Sequence, residues 1–237
     1  MRTKRLWGMM GASYTKEEMK YSFDYGQFSQ DWCVNRILDI DKGFFLDIGA
    51  GVSDHDAELV LISTMSNTYG LEKFRNWNGI AIDYDDVYIK EAKRLRSCSM
   101  ICEDLMQTNI NDILKNNNAP EEIDYLSLDV DDAQQKVFNE LDFSSYKFKI
   151  ITYEHNIFRS WDFLRGKTIR DDESRNRFKE LGYGLLFGNV GLTDEEPVED
   201  WYVDQNLFEK YGHIAKDGIT RDQIMGALLS NNGSMVK

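Results

Sequence analysis

The chain has 237 residues, 42% of them apolar, with only two prolines, Pro120 and Pro197. That composition suits one α/β domain with extensions and excludes a disordered chain. The net charge of −13, from 41 acids, disfavours a nucleic-acid partner, since non-specific binding to DNA or RNA rests on clustered Lys and Arg.

The start, "MRTKRLWGMMGASYTKEEMK", has too short an apolar part for a signal peptide. No run approaches a membrane span, so a cytoplasmic protein without a membrane partner is expected. Cys33, Cys98 and Cys102 fit no zinc spacing. Their odd number argues against a disulfide framework, so they read as buried free thiols. A leading segment, residues 1–42, is expected to be helical around "QDWCVNRILDI".

From residue 43 the chain alternates. "GFFLDIG" (43–49) reads as a buried strand running into a glycine turn. Residues 57–74 read as a helix, 79–83 as a strand and 87–96 as a helix with a basic end. A strand over 99–104 and a helix over 109–116, capped by Thr108 or Asn109, follow. "IDYLSLDVDD" (123–132) is a strand, 133–141 a helix, and "FKIITYEHN" (148–156) a strand. Residues 173–182 form a helix stopped by Gly182. Then 183–191 and 199–204 are strand-like, with no room for a helix between them.

Alternating βα units imply a doubly wound, mostly parallel sheet, and the closing hairpin adds one antiparallel strand. The domain is expected over 43–204. A helical tail follows over 205–237, where "TRDQ" offers a Thr220–Gln223 capping box.

Ligands of such a sheet bind outside the C-terminal strand ends, where strand order reverses. Acids stand at every one of those exits. They are Asp47 before Gly49 and Gly51, then Asp83, then Asp104, then Asp129 with Asp131 and Asp132, and finally Glu154 before His155 and Asn156. A single exit acid is commonly a solvated turn residue, but a full set of exits converging on one crevice points to a ligand.

A dinucleotide loop wants Gly-x-Gly-x-x-Gly, and here Asp54 replaces the third glycine, with Asp56 and Glu58 after it. Those charges repel a pyrophosphate, and no Gly-Lys-Ser/Thr is present for a P-loop. A phosphate-free adenosyl ligand with a positive centre suits the loop, and S-adenosylmethionine is one. Gly49 and Gly51 would admit it to the backbone. Asp83 would accept from the ribose hydroxyls, and Asp104 would face the adenine amine.

In order along the chain, "YGQFSQDW", "GFFLDIGAG", "SNTYGLEK" with "WNGIAID", "IDYLSLDVDDA", "YKFKIITYEHN" and "LGYGLLFGNVG" with "EDWYVD" resemble the FkbM-type S-adenosylmethionine-dependent methyltransferases. The blocks cover about residues 25 to 205. The resemblance implies a class I methyltransferase (Rossmann-like) fold and methyl transfer to oxygen, most often a sugar hydroxyl of a glycan or natural product. It also implies that Gln30 and Asp31 close over the methionine end of the cofactor. The bland alternative for that pair is an amphipathic helix start docked on the sheet.

A sugar hydroxyl needs a base. His155 is the candidate, with a capping or core histidine as its alternative; His55 and His213 are weaker ones. Asp129 and Glu154, at neighbouring strand ends, offer oxygen ligands to Mg²⁺, which related sugar methyltransferases use. Trp161 and Arg165 could stack on and bond a sugar. The acidic run from Asp194 to Glu209 reads as a solvated face.

The expected partner is a small-molecule or glycan acceptor, and a homo-oligomer is compatible with the sequence. The rival readings are a nicotinamide-dependent Rossmann enzyme, a non-catalytic methyltransferase-like binding module, and a nucleic-acid methyltransferase. The charge and the lack of an Asn-Pro-Pro-Tyr-like motif weigh against the last.

Overall fold

The computed structural model describes residues 20–51, 66–155, 173–193 and 196–232. Helix α1 (Gln30–Leu38) buries Trp32, Cys33, Val34 and Ile37 and ends at Asp39 in the left-handed region. Strand β1 (Phe44–Ile48) leads to α2 (Tyr69–Arg75), β2 (Asn78–Asp83) and α3 (Asp86–Ala92). Next come β3 (Ser99–Cys102), α4 (Ile110–Asn116), β4 (Glu122–Leu128) and α5 (Gln134–Glu140). The chain continues through β5 (Lys147–Glu154), α6 (Glu173–Glu180), β6 (Gly184–Gly191) and β7 (Pro197–Val203). It closes with α7 (Gln205–Tyr211), β8 (Lys216–Thr220) and α8 (Arg221–Asn232).

Local chemistry starts and stops these elements. Asp85 caps α3 by accepting the amides of Val87 and Tyr88. Asn109, not Thr108, caps α4 through the amide of Asn111. Asp204 caps α7. Gly182, at φ +87°, ends α6, and the Tyr183 amide turns back onto the Phe178 carbonyl. The Gln223 side chain accepts the amide of Thr220, one half of the expected capping box.

The sheet has eight strands in the order β3-β2-β1-β4-β5-β7-β6-β8. Strand β7 runs antiparallel to β5 and β6, and the other neighbours are parallel. This is the expected doubly wound, mostly parallel sheet with an antiparallel hairpin strand. Strand order reverses between β1 and β4, so the crevice opens there.

Side-chain alternation gives the sheet two cores. Phe45, Ala81, Tyr125, Ile150 and Trp201 face α1, α2 and α3. Leu46, Ile82, Leu126, Ile151 and Tyr202 face α4, α5 and α6.

Several expected boundaries move. The helix expected over 57–74 is helical only from Tyr69 within its described part; residues 57–65 lie outside the described residues. Ser66–Thr68 instead form a turn in which the Ser66 hydroxyl accepts the amides of Thr68 and Tyr69. β4 stops at Leu128, because Asp131 adopts φ +43° and starts a 3₁₀ turn. The tail expected to be helical holds β8. Its "KDGIT" is polar and contains glycine, so it carries no strand pattern of its own, and pairing with β6 makes it a strand.

Phe178 anchors α6. It is fully buried, stacks on Tyr202 at 4.1 Å between ring centroids, and meets Phe138 at 4.7 Å. Phe178→Ala is expected to cost about 3–5 kcal/mol in urea unfolding, whereas exposed Lys179→Ala changes stability by less than about 0.5 kcal/mol.

Candidate active site

The crevice is built first from backbone. Gly49 sits at φ +83°, where a side chain is strained, and a Cβ there would lie 1.6 Å from the Asp129 carbonyl oxygen. The Asp129 amide donates to the Ile48 carbonyl at 2.9 Å, so the exits of β1 and β4 are tied directly together. The Gly51 amide donates to Asp83 Oδ2 at 2.8 Å, and a Cβ at Gly51 would lie 2.3 Å from that oxygen. The Tyr88 hydroxyl donates to the Ala50 carbonyl and braces the same turn.

Asp47 is buried among donors. It accepts from Thr68 Oγ1 at 2.6 Å and from the Ser127 hydroxyl, which itself accepts from Asn67 Nδ2 at 3.0 Å. Burial raises its pKa; Arg96, Thr68 and Ser127 oppose the rise. Across the sheet Asp47 is level with Ser127, and Ser127 with Thr152, giving one buried polar rung. Asp83 also has its pKa raised by burial, against the amides of Asp85 and Gly51.

On the other side of the crevice, Asp129 and Glu154 form a hydrogen-bonded carboxyl pair. Burial first, then Glu154, pushes the Asp129 pKa well above the carboxylate range. Glu199 lies opposite Glu154 on β7. Its Oε1 accepts from Trp201 Nε1 at 2.7 Å and from Gln30 Nε2 at 3.0 Å. Burial pushes its pKa up to about 8.

The residues expected from sequence therefore separate. Asp47, Gly49, Gly51, Asp83, Asp129 and Glu154 converge on the crevice. Asp104 is exposed; its side chain accepts the Met106 amide and closes a turn, the bland role of an exit acid. Gln30 and Asp31 are buried and spent on the protein. Gln30 Oε1 takes the Phe28 amide while its Nε2 serves Glu199. Asp31 accepts the amides of Tyr25, Gly26 and Trp32, and burial nonetheless raises its pKa to about 7.

His155 has a side chain only 3% exposed, with Nε2 3.5 Å from Asp200 Oδ1. Asp200 is in turn gripped by the Arg175 fork, at 2.8 and 2.9 Å, and by the Tyr202 hydroxyl. His213 sits in the tail beside Asn231. His55, Asn156, Trp161 and Arg165 lie outside the described residues.

The expected Mg²⁺ site at Asp129 and Glu154 finds no support: among the described residues no group of three His, Cys, Asp or Glu side chains could hold a metal.

Sequence reasoning missed the buried cation of this site. Arg96 donates to Glu72 Oε2 at 2.6 Å, to Ser66 Oγ at 3.1 Å and to Thr68 Oγ1 at 2.8 Å. Its place at the basic end of the helix expected over 87–96, which in the structure stops at Ala92, read as a dipole partner. It also missed Glu199, taken as part of a solvated acidic run; the alternation Glu199-Trp201-Val203 was the available signal.

Residues 68–185 match the methyltransferase FkbM domain. The chain thus carries an FkbM domain and is an S-adenosylmethionine-dependent methyltransferase. No curated protein matches it significantly.

Among solved structures, the chain is similar to a TehB-like SAM-dependent methyltransferase from Corynebacterium glutamicum. That match has 12% identity, 73% of this chain, 88% of the other and a TM-score of 0.42. It is also similar to the plantazolicin methyltransferase BamL, solved with a desmethyl substrate analogue and SAH, at 14% identity, covering 88% and 77%, with a TM-score of 0.39. PKMT2 from Rickettsia typhi in complex with AdoHcy shares 12% identity over 67% of this chain and 32% of that longer one, with a TM-score of 0.33.

Glu199 makes stability depend on pH. Its folded pKa of about 8 exceeds the ordinary 4.5, so between those values the unfolded chain gives up a proton that the folded chain keeps. Stability contributed by the neutral acid is present below about pH 4.5 and is lost as pH rises towards 8. Glu199→Gln, which mimics the neutral acid, is expected to flatten the fall in melting temperature between pH 5 and about 8.

Proposed function

We propose that the chain methylates oxygen, on a sugar hydroxyl of a glycan, glycoconjugate or natural product. The observation that carries this reading is the Asp129–Glu154 carboxyl pair beside the glycine turn. In it, S-adenosylmethionine lies over Gly49 and Gly51. Asp83 receives the ribose hydroxyls, Asp47 sits beneath the turn, and the exposed Asp104 is left at the adenine end.

The acceptor oxygen attacks the methyl carbon in line. The carbon–sulfur bond breaks as the carbon–oxygen bond forms, and S-adenosylhomocysteine leaves without the sulfonium charge. The hydroxyl proton passes to a carboxylate oxygen of the pair, so no metal is invoked. Alignment supplies on the order of 7–11 kcal/mol of such a barrier, and a general base adds about 10²–10⁴-fold.

Residues 43–204 are the catalytic domain in this reading, with 1–42 leading into it and 205–237 as its tail. Gln30 and Asp31 shape the methionine end from beneath, through Glu199 and the Tyr25–Gly26 turn. Cys33 and Cys98 are the expected buried free thiols, whereas Cys102 is free but exposed; free thiols suit a reducing cytoplasm.

A second reading makes His155 the base, because Asp200 lies 3.5 Å from its Nε2 and would stabilise the imidazolium. Glu154→Gln is expected to lower turnover by about 10²-fold or more while S-adenosylhomocysteine binding stays within about threefold. Full activity in Glu154→Gln with loss in His155→Asn would transfer the role to His155. S-adenosylhomocysteine is expected to raise the melting temperature and NAD to leave it unchanged.

A further inference from the structure

We propose that Arg96 and Thr68 are positioning residues for methyl transfer, setting the orientation and charge of Asp47 under the cofactor turn. The inference rests on the reading of Asp47 as part of the cofactor site. Its basis is one continuous set of hydrogen bonds. The Arg96 side chain is fully buried and spreads its fork over three acceptors belonging to α2 and the turn before it: Glu72, Ser66 and Thr68. Its guanidinium also lies 5.7 Å from the Phe45 ring and 5.9 Å from the Tyr69 ring, which fixes its plane.

Thr68 is the relay. Its hydroxyl accepts from Arg96 Nη2 at 2.8 Å, so its one proton is directed to Asp47 Oδ2 at 2.6 Å. A hydroxyl held by a cation is a stronger donor than a free one. Ser66 holds the same turn from the other side by accepting the Thr68 and Tyr69 amides. Between them, Asn67 is aimed at Ser127, the second donor to Asp47. A lysine at 96 keeps the charge but cannot reach Glu72, Ser66 and Thr68 with one rigid fork.

Asp47 also feels Asp83 from β2, Tyr88 from α3, Cys98 beside β3 and Tyr125 from β4. All of these are unchanged by a substitution at Thr68, so a shift in that variant reports the lost hydroxyl. Losing a donor to the charged form raises the carboxyl pKa. The acid-side loss of ligand binding therefore moves to higher pH.

The test is calorimetry of S-adenosylhomocysteine binding between pH 5 and 8 on wild type, Thr68→Val and Thr68→Ser. The expected result is about tenfold weaker binding by Thr68→Val at neutral pH. Its acid limb moves up, and Thr68→Ser restores both. Equal affinity and an unmoved limb in Thr68→Val overturn the proposal. Absence of binding by wild type at every pH overturns the cofactor reading beneath it instead. Should Thr68→Val not melt cooperatively, Arg96→Lys decides. The same upward shift of the limb supports the relay, and an unmoved limb overturns it.

Discussion

The site depends on one close approach of backbone to backbone. The Asp129 amide bonds the Ile48 carbonyl, and Gly49 turns at φ +83° against the Asp129 carbonyl, where a Cβ would lie at 1.6 Å. Only a residue without a side chain permits that contact. It brings the exits of β1 and β4 together at the reversal of strand order. Asp47 and Asp83 are thereby placed on one side of the crevice, and the Asp129–Glu154 pair on the other.

Around that contact the protein buries charge with a donor for nearly every acid. Three arginines act as forks. Arg75 gathers Asn35, Asp39 and Asp41; Arg96 gathers Glu72, Ser66 and Thr68; Arg175 gathers Asp200 and Asp217. Each joins elements distant in sequence, which a lysine's single ammonium would do less rigidly. Burial still wins at Asp31 and Glu199, with pKa values of about 7 and about 8. These two buried acids therefore hold their protons to higher pH than exposed carboxyls do.

The sequence by itself determined the βα alternation, the glycine turn, the closing hairpin and the acids at the strand exits. Those signals are local: an apolar run followed by glycine is a strand end wherever it is placed. Tertiary structure decided which exit acids meet the glycine turn. Asp83 and Asp104 are both acids at the exits of neighbouring strands, yet one meets the Gly51 amide and the other merely closes an exposed turn. It also decided that Gln30 and Asp31 are buried supports, that Asp129 bonds Glu154, and that "KDGIT" becomes a strand on the edge of β6. Arg96 and Thr68 are 28 residues apart, and Gln30 and Glu199 are 169 apart. Periodicity reports which face a side chain takes, but a hydrogen bond needs the position of both partners, and only the folded chain supplies the second one.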